Sequence, residues 1–139
     1  MSALPRPASG IGASVSIRSF ENGSIDPEQF DHEAHIFVAW LYLQDYDLKD
    51  AISRFCAALR RLTIKLGMES KYHQTLSWFF MILIAERMAA SDADDWQAFR
   101  QQNQDIFARQ PSIVSAYYSG DRLDSALARK QFLLPDRRP

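Results

Sequence analysis

His32 and His35 stand three residues apart in "FDHEAHIFVAW", just before a run of large apolar side chains, and His73 opens a second such run in "YHQTLSWFFMILIA". Imidazoles at i and i+3 share one face of a helix, and bundles build metal sites from side chains paired in this way on facing helices. Imidazole combined with carboxylate suits zinc, iron, manganese or copper rather than calcium or magnesium. Glu28, one turn before His32, is the candidate fourth ligand or general base. Asp31, one turn before His35, is placed to orient that ring. Cys56 is a further thiol in range, but it sits in an apolar stripe and reads as inert core. Three protein ligands leave a coordination position open for water or substrate, as metal catalysis requires. The leading expectation is therefore a small metal-binding helical protein, a metal-dependent enzyme acting on a small-molecule substrate through His32, His35 and His73, with Glu28 as the catalytic carboxylate.

The same residues admit two other readings. Without metal, His32 or His35 would act as an acid or base near neutral pH, tuned by Asp31 or Glu28. With structural histidines, the chain would be a non-catalytic interaction module, either an accessory subunit or a homodimer built through its aromatic-rich helices. Metal content and oligomeric mass separate these readings.

The elements that must position these residues are helical after residue 25. "SIDPEQF" offers Asp26 as N-cap, Pro27 at the first helical position and Ile25 with Phe30 as a hydrophobic staple, so a first helix is expected from about Pro27 to Gln44. The second runs from about Leu48 to Leu66 on the stripe Ile52, Phe55, Cys56, Leu59, Leu62 and Leu66, with Gly67 as its stop. The third, from about Ser70 to Ala90, is apolar on all sides from Trp78 to Ala85 and is expected to be central. Ser91 is read as the cap of a fourth, whose inner stripe is Trp96, Phe99, Ile106 and Phe107, with Gln101 to Asp105 facing water. Two short helical pieces follow, near Ser112 to Tyr118 and Asp124 to Phe132. The predicted fold is an all-α single-domain bundle of four main helices with a short helical C-terminal strap. In an up-down bundle the first and third helices run parallel, which would bring His32, His35 and His73 together near one end of the core.

"FDHEAHIFVAWLYL", "KYHQTLSWFFMILIAERM" and "YYSGDRLDSALARKQFLLPD" together resemble a group of small bacterial all-helical proteins that carry an F-x-H-x-x-H segment followed by Y-H-x-T. The resemblance spans about residues 28 to 136. Its motif maps to Phe30, His32 and His35, then Tyr72, His73 and Thr75. It implies a helical fold and treats the three histidines as one site; it implies no reaction.

Composition bounds the rest. A chain of 139 residues fits one domain, and 47% hydrophobic with 12% aromatic residues is enough for a core. A net charge of −1 argues against a nucleic-acid partner, which calls for a basic surface. The longest apolar run, "WFFMILIA", is far short of the roughly 20 residues of a bilayer helix, so no membrane partner is expected. Residues 1–24, rich in Ser, Ala, Gly and Pro, read as a mobile leader ending in a short extended piece at "SVSIRSF", and residues 25–139 as the bundle domain. With one cysteine and no secretion signal the expected location is the cytoplasm.

Overall fold

The computed structural model describes residues 10–109 and 111–137. These form nine α-helices: α1 (Ile17–Asn22), α2 (His32–Asp45), α3 (Leu48–Lys65), α4 (Gln74–Ala89), α5 (Trp96–Gln102), α6 (Gln104–Phe107), α7 (Val114–Tyr117), α8 (Gly120–Asp124) and α9 (Ala126–Lys130). The architecture is an all-α bundle, with no strand among the described residues. The three long helices α2, α3 and α4 each pack against the other two. None of the described helices is long and apolar enough to cross a membrane.

Both histidine-bearing helices begin later than their sequence signals predict. Asp26 does cap, accepting from the Glu28 amide at 3.0 Å, but it opens only a 3₁₀ turn, Pro27–Gln29. Phe30 then leaves helical backbone at φ −94°, ψ 62°, and Asp31 caps α2 afresh through the Ala34 amide at 2.9 Å. A second 3₁₀ turn, Glu69–Lys71, precedes α4, and there the cap is His73 itself. The fourth helix opens at Asp95, whose carboxylate accepts from Ala98, rather than at Ser91. Gly67 stops α3 with φ +69°, a left-handed conformation that glycine adopts without a Cβ clash.

The fourth helix arrives in two pieces, α5 and α6, around Asn103. This residue was expected on a wet face, yet it is buried. Its Nδ2 donates to the Phe99 carbonyl at 2.9 Å and its Oδ1 accepts from Arg87 at 3.0 Å. Arg87 also forks onto Asp105, at 2.9 and 2.7 Å. The stripe Trp96, Phe99, Ile106 and Phe107 is buried as expected, with Trp96 against Phe37 and Trp40 of α2 at ring separations of 5.0 and 5.6 Å.

The expected boundary at residue 24 is corrected. Residues 1–9 lie outside the described part, but residues 10–24 belong to the bundle. Ile11, Val15 and Phe20 are core residues, and "SVSIRSF" is helical rather than extended. Ser16 and Ser19 form a reciprocal capping box at the start of α1, and α1 packs on α2 and α3. A Ser- and Gly-rich composition concealed three apolar side chains placed to dock.

The C-terminal segment, α7 to α9, returns to α4, with α9 lying against it. Its clasp is Thr75, fully buried: the hydroxyl donates within reach of the Ala128 and Gln131 carbonyls, at 2.7 and 2.8 Å, and accepts from the Leu133 amide at 3.2 Å. Thr75→Val keeps the shape and strips these bonds, leaving buried backbone groups unpaired. A loss of roughly 1–3 kcal/mol is expected in chemical denaturation, with faster amide exchange at Leu133. Unchanged exchange there would show that the clasp does not hold the segment.

Candidate functional site

One stripe from each long helix faces a common cavity of about 390 Å³. On α2 the stripe is His32, His35, Ile36 and Ala39; on α4 it continues from the cap as His73, Leu76, Ser77, Phe80 and Ile84; on α3 it is Phe55, Leu59, Leu62, Thr63 and Leu66. These spacings of three, four and seven follow the helical period, so amphipathic patterning alone aims them inward. The space remains open where Ala39 and Ser77 present small side chains. The exposed wall residues Pro27, Met68 and Lys71 all precede α2 or α4, which places the mouth at the N-terminal ends of those helices. The floor, formed by Ile36, Ala39, Leu62, Met81 and Ile84, is buried.

All three histidines line this cavity, but they differ in what their rings are free to do. The Nδ1 of His73 accepts from the Leu76 amide at 3.1 Å, and its Nε2 lies 2.8 Å from the Leu123 carbonyl. Both partners are satisfied only by the neutral tautomer protonated at Nε2, so neither nitrogen is left for a ligand. His32 places its Nε2 at 3.2 Å from the Ile106 carbonyl and sets its ring edge-on to Phe80, 5.6 Å away. His35 is different. Its ring stacks on Phe30 at 3.9 Å, and neither nitrogen has a hydrogen-bond partner among the described residues. Burial first, and the neighbouring His32 second, bring its pKa down to about 4 against the opposing charge of Asp31. At neutral pH His35 is an uncharged imidazole facing open space.

The remaining expected participants lie elsewhere. Glu28 is exposed on its 3₁₀ turn and forms no part of the cavity wall. Asp31 spends its carboxylate on the Ala34 amide rather than on the His35 ring. Cys56 is buried, and burial raises its thiol pKa, as suits an inert core residue. Among the described residues no three His, Cys, Asp or Glu side chains are grouped to hold a metal ion. For His73 to join such a group it would have to surrender either the cap of α4 or the bond to Leu123.

Two polar wall residues, Thr63 and Lys71, were not anticipated from the sequence, and a third, Tyr72, was named there only within the Y-H-x-T segment. Lys71 lies on the 3₁₀ turn at the mouth. Tyr72 presents one side to the cavity, with the Arg60 guanidinium 5.7 Å from its ring centre. Behind Tyr72 lies a smaller cleft bordered by Arg60, Glu69, Arg129 and Lys130. The signal that pointed near Tyr72 was the Y-H-x-T segment; nothing in residue type marked Thr63 or Lys71.

No protein-family model, curated protein or solved structure matches this chain.

Proposed function

We propose that the protein binds a small, largely apolar molecule in the cavity between α2, α3 and α4. The observation that carries this reading is the cavity itself: about 390 Å³, walled mainly by aliphatic and aromatic side chains, with few polar groups. Ligand sites occupy this size range and combine an apolar lining with a small number of placed polar atoms. An unfilled space of this size costs stability through lost contacts, so a fold that keeps it gains by having an occupant. His35 supplies the placed polar group, an imidazole with no other partner. This is a binding role, and no carboxylate lines the cavity.

The test uses 1-aminoanthracene, a neutral fluorophore that brightens and shifts to the blue in apolar surroundings. The intact chain is expected to bind it with one-to-one stoichiometry. Ala39→Leu adds three carbons to the buried floor and is expected to weaken binding at least tenfold while leaving the melting temperature unchanged or raised. An unaltered fluorophore in the presence of the protein, or equal affinity in the variant, would sink the reading.

A further inference from the structure

Polarity in the cavity is distributed unevenly along its depth, and that distribution says what kind of molecule fits. This inference rests on the binding role proposed above and adds the chemistry of the occupant. The floor is entirely hydrocarbon, aromatic or thioether: Ile36, Ala39, Met81 and Ile84 leave no polar side-chain atom to greet a ligand. His35 stands one turn in from the start of α2, and Lys71 stands at the mouth itself. Such a gradient rejects a ligand that is polar at both ends and accepts one that is apolar at one end only.

The sign of the polar end follows from the charges around the mouth. Lys71 is in neither of the ion pairs found among the described residues, which are Arg87–Asp105 and Arg100–Glu33. The cleft behind Tyr72 adds Arg60, Arg129 and Lys130 against the single carboxylate of Glu69. The N-terminal ends of α2 and α4, fourteen and sixteen residues long, both open at this level, and helix N-termini favour negative charge. Asp26, Glu28, Asp31 and Glu69 stand around the mouth and keep their charge, but none of them lines the cavity, whose wall holds Lys71 and no carboxylate. A wall whose single formal charge is the Lys71 ammonium, above an apolar floor, selects an anionic head on an apolar body.

Size sets the length of that body. At the roughly 30 Å³ that one water takes in the liquid, about 390 Å³ holds about 13 non-hydrogen atoms. We infer that the occupant is a monocarboxylate with an apolar chain of about eight to twelve carbons, lying tail-down, its head between the His35 N–H and the Lys71 ammonium. The carboxylate stays near the mouth and keeps part of its hydration, so the full penalty of burying a charge does not arise.

The experiment compares octanoate with 1-octanol, which share an apolar body and differ in head charge. Calorimetric titration of the intact chain, with displacement of 1-aminoanthracene, reads both. Octanoate is expected to displace the fluorophore at lower concentration than octanol. Lys71 is exposed, so Lys71→Gln leaves the fold intact; it is expected to weaken octanoate about two- to fivefold and to leave octanol unchanged, the range of a solvent-exposed ion pair. His35→Leu is expected to weaken octanoate more than octanol. Octanol binding as tightly as octanoate, octanoate failing to displace the fluorophore, or Lys71→Gln leaving octanoate unaffected would each overturn the carboxylate assignment while the cavity remained a binding site. A protein that takes neither octanoate nor octanol nor the fluorophore overturns the binding role itself.

Discussion

Phe20→Ala is expected to destabilise the protein by about 3–5 kcal/mol in urea unfolding, among the larger costs of any single truncation. The side chain is fully buried although it comes from a segment whose composition suggests a leader. Its ring lies 5.4 Å from Phe30, 6.0 Å from Tyr42 and 5.3 Å from Phe55, so it ties α1 to the turn before α2, to α2 and to α3. Alanine removes the transfer energy of the ring and leaves a void that three separately anchored aromatics cannot all close. Gly23, at φ +78°, and the Ser16 cap keep α1 in place, so the segment has little freedom to shift inward. A loss below about 1 kcal/mol would mean that residues 10–24 are not part of the cooperative unit.

The second large effect is a dependence on pH traceable to His35. Its folded pKa of about 4 lies below the ordinary histidine value of 6.5 because burial and His32 disfavour the charged ring. In the unfolded chain the same ring takes up a proton as pH falls through 6.5, while the folded protein does not until about pH 4. The unfolded state therefore binds more protons across that window, and stability falls with pH between 6.5 and 4, then levels off. At 1.36 kcal/mol per unit the loss attributable to this residue is about 2–3 kcal/mol. The measurement is unfolding free energy at pH 7 and pH 4 for the wild-type protein and for His35→Gln, in which every other titrating group is retained. The difference between the two proteins should shrink or reverse by that amount on acidification. Parallel curves would mean that His35 is solvated like an ordinary surface histidine.

The all-α class and the three long helices were legible in the sequence, whereas the short helices and the helix starts were less so. Asp26-Pro27 with its staple is a genuine N-terminal signal, and the structure uses Asp26 as a cap. Cap chemistry satisfies the first free amides and says nothing of how many turns follow, so a single 3₁₀ turn and a fourteen-residue helix open alike. Asp31 was legible only as a partner for His35. His73 escaped for another reason: the side chains favoured at N-caps are Ser, Thr, Asp and Asn, and an imidazole in that role is not suggested by residue type. All three histidine side chains line one cavity, but among the described residues they are not grouped to hold a metal ion. What spacing does not encode is which ring nitrogens are already committed, because the partners of His32 and His73 lie at Ile106 and Leu123, far along the chain. The cavity was equally hidden. Ala39 and Ser77 are small enough to leave a void, but whether neighbours fill it depends on how the three helices are spaced in three dimensions.

The partners of the α4 cap reach far ahead in the order of synthesis. His73 waits 50 residues for the Leu123 carbonyl, and Thr75 waits 53 to 58 residues for Ala128, Gln131 and Leu133. At about 5–20 residues per second a ribosome takes roughly 3–12 s to cover that gap. By then α2, α3 and α4 have emerged and can collapse on one another, yet Trp78 and Phe79 still lack the Phe132 and Tyr118 rings that cover them. For those seconds the nascent chain displays an aromatic strip beside an unfinished cavity rim. That strip is where a ribosome-associated chaperone would bind, and also where two half-made chains on one messenger would adhere.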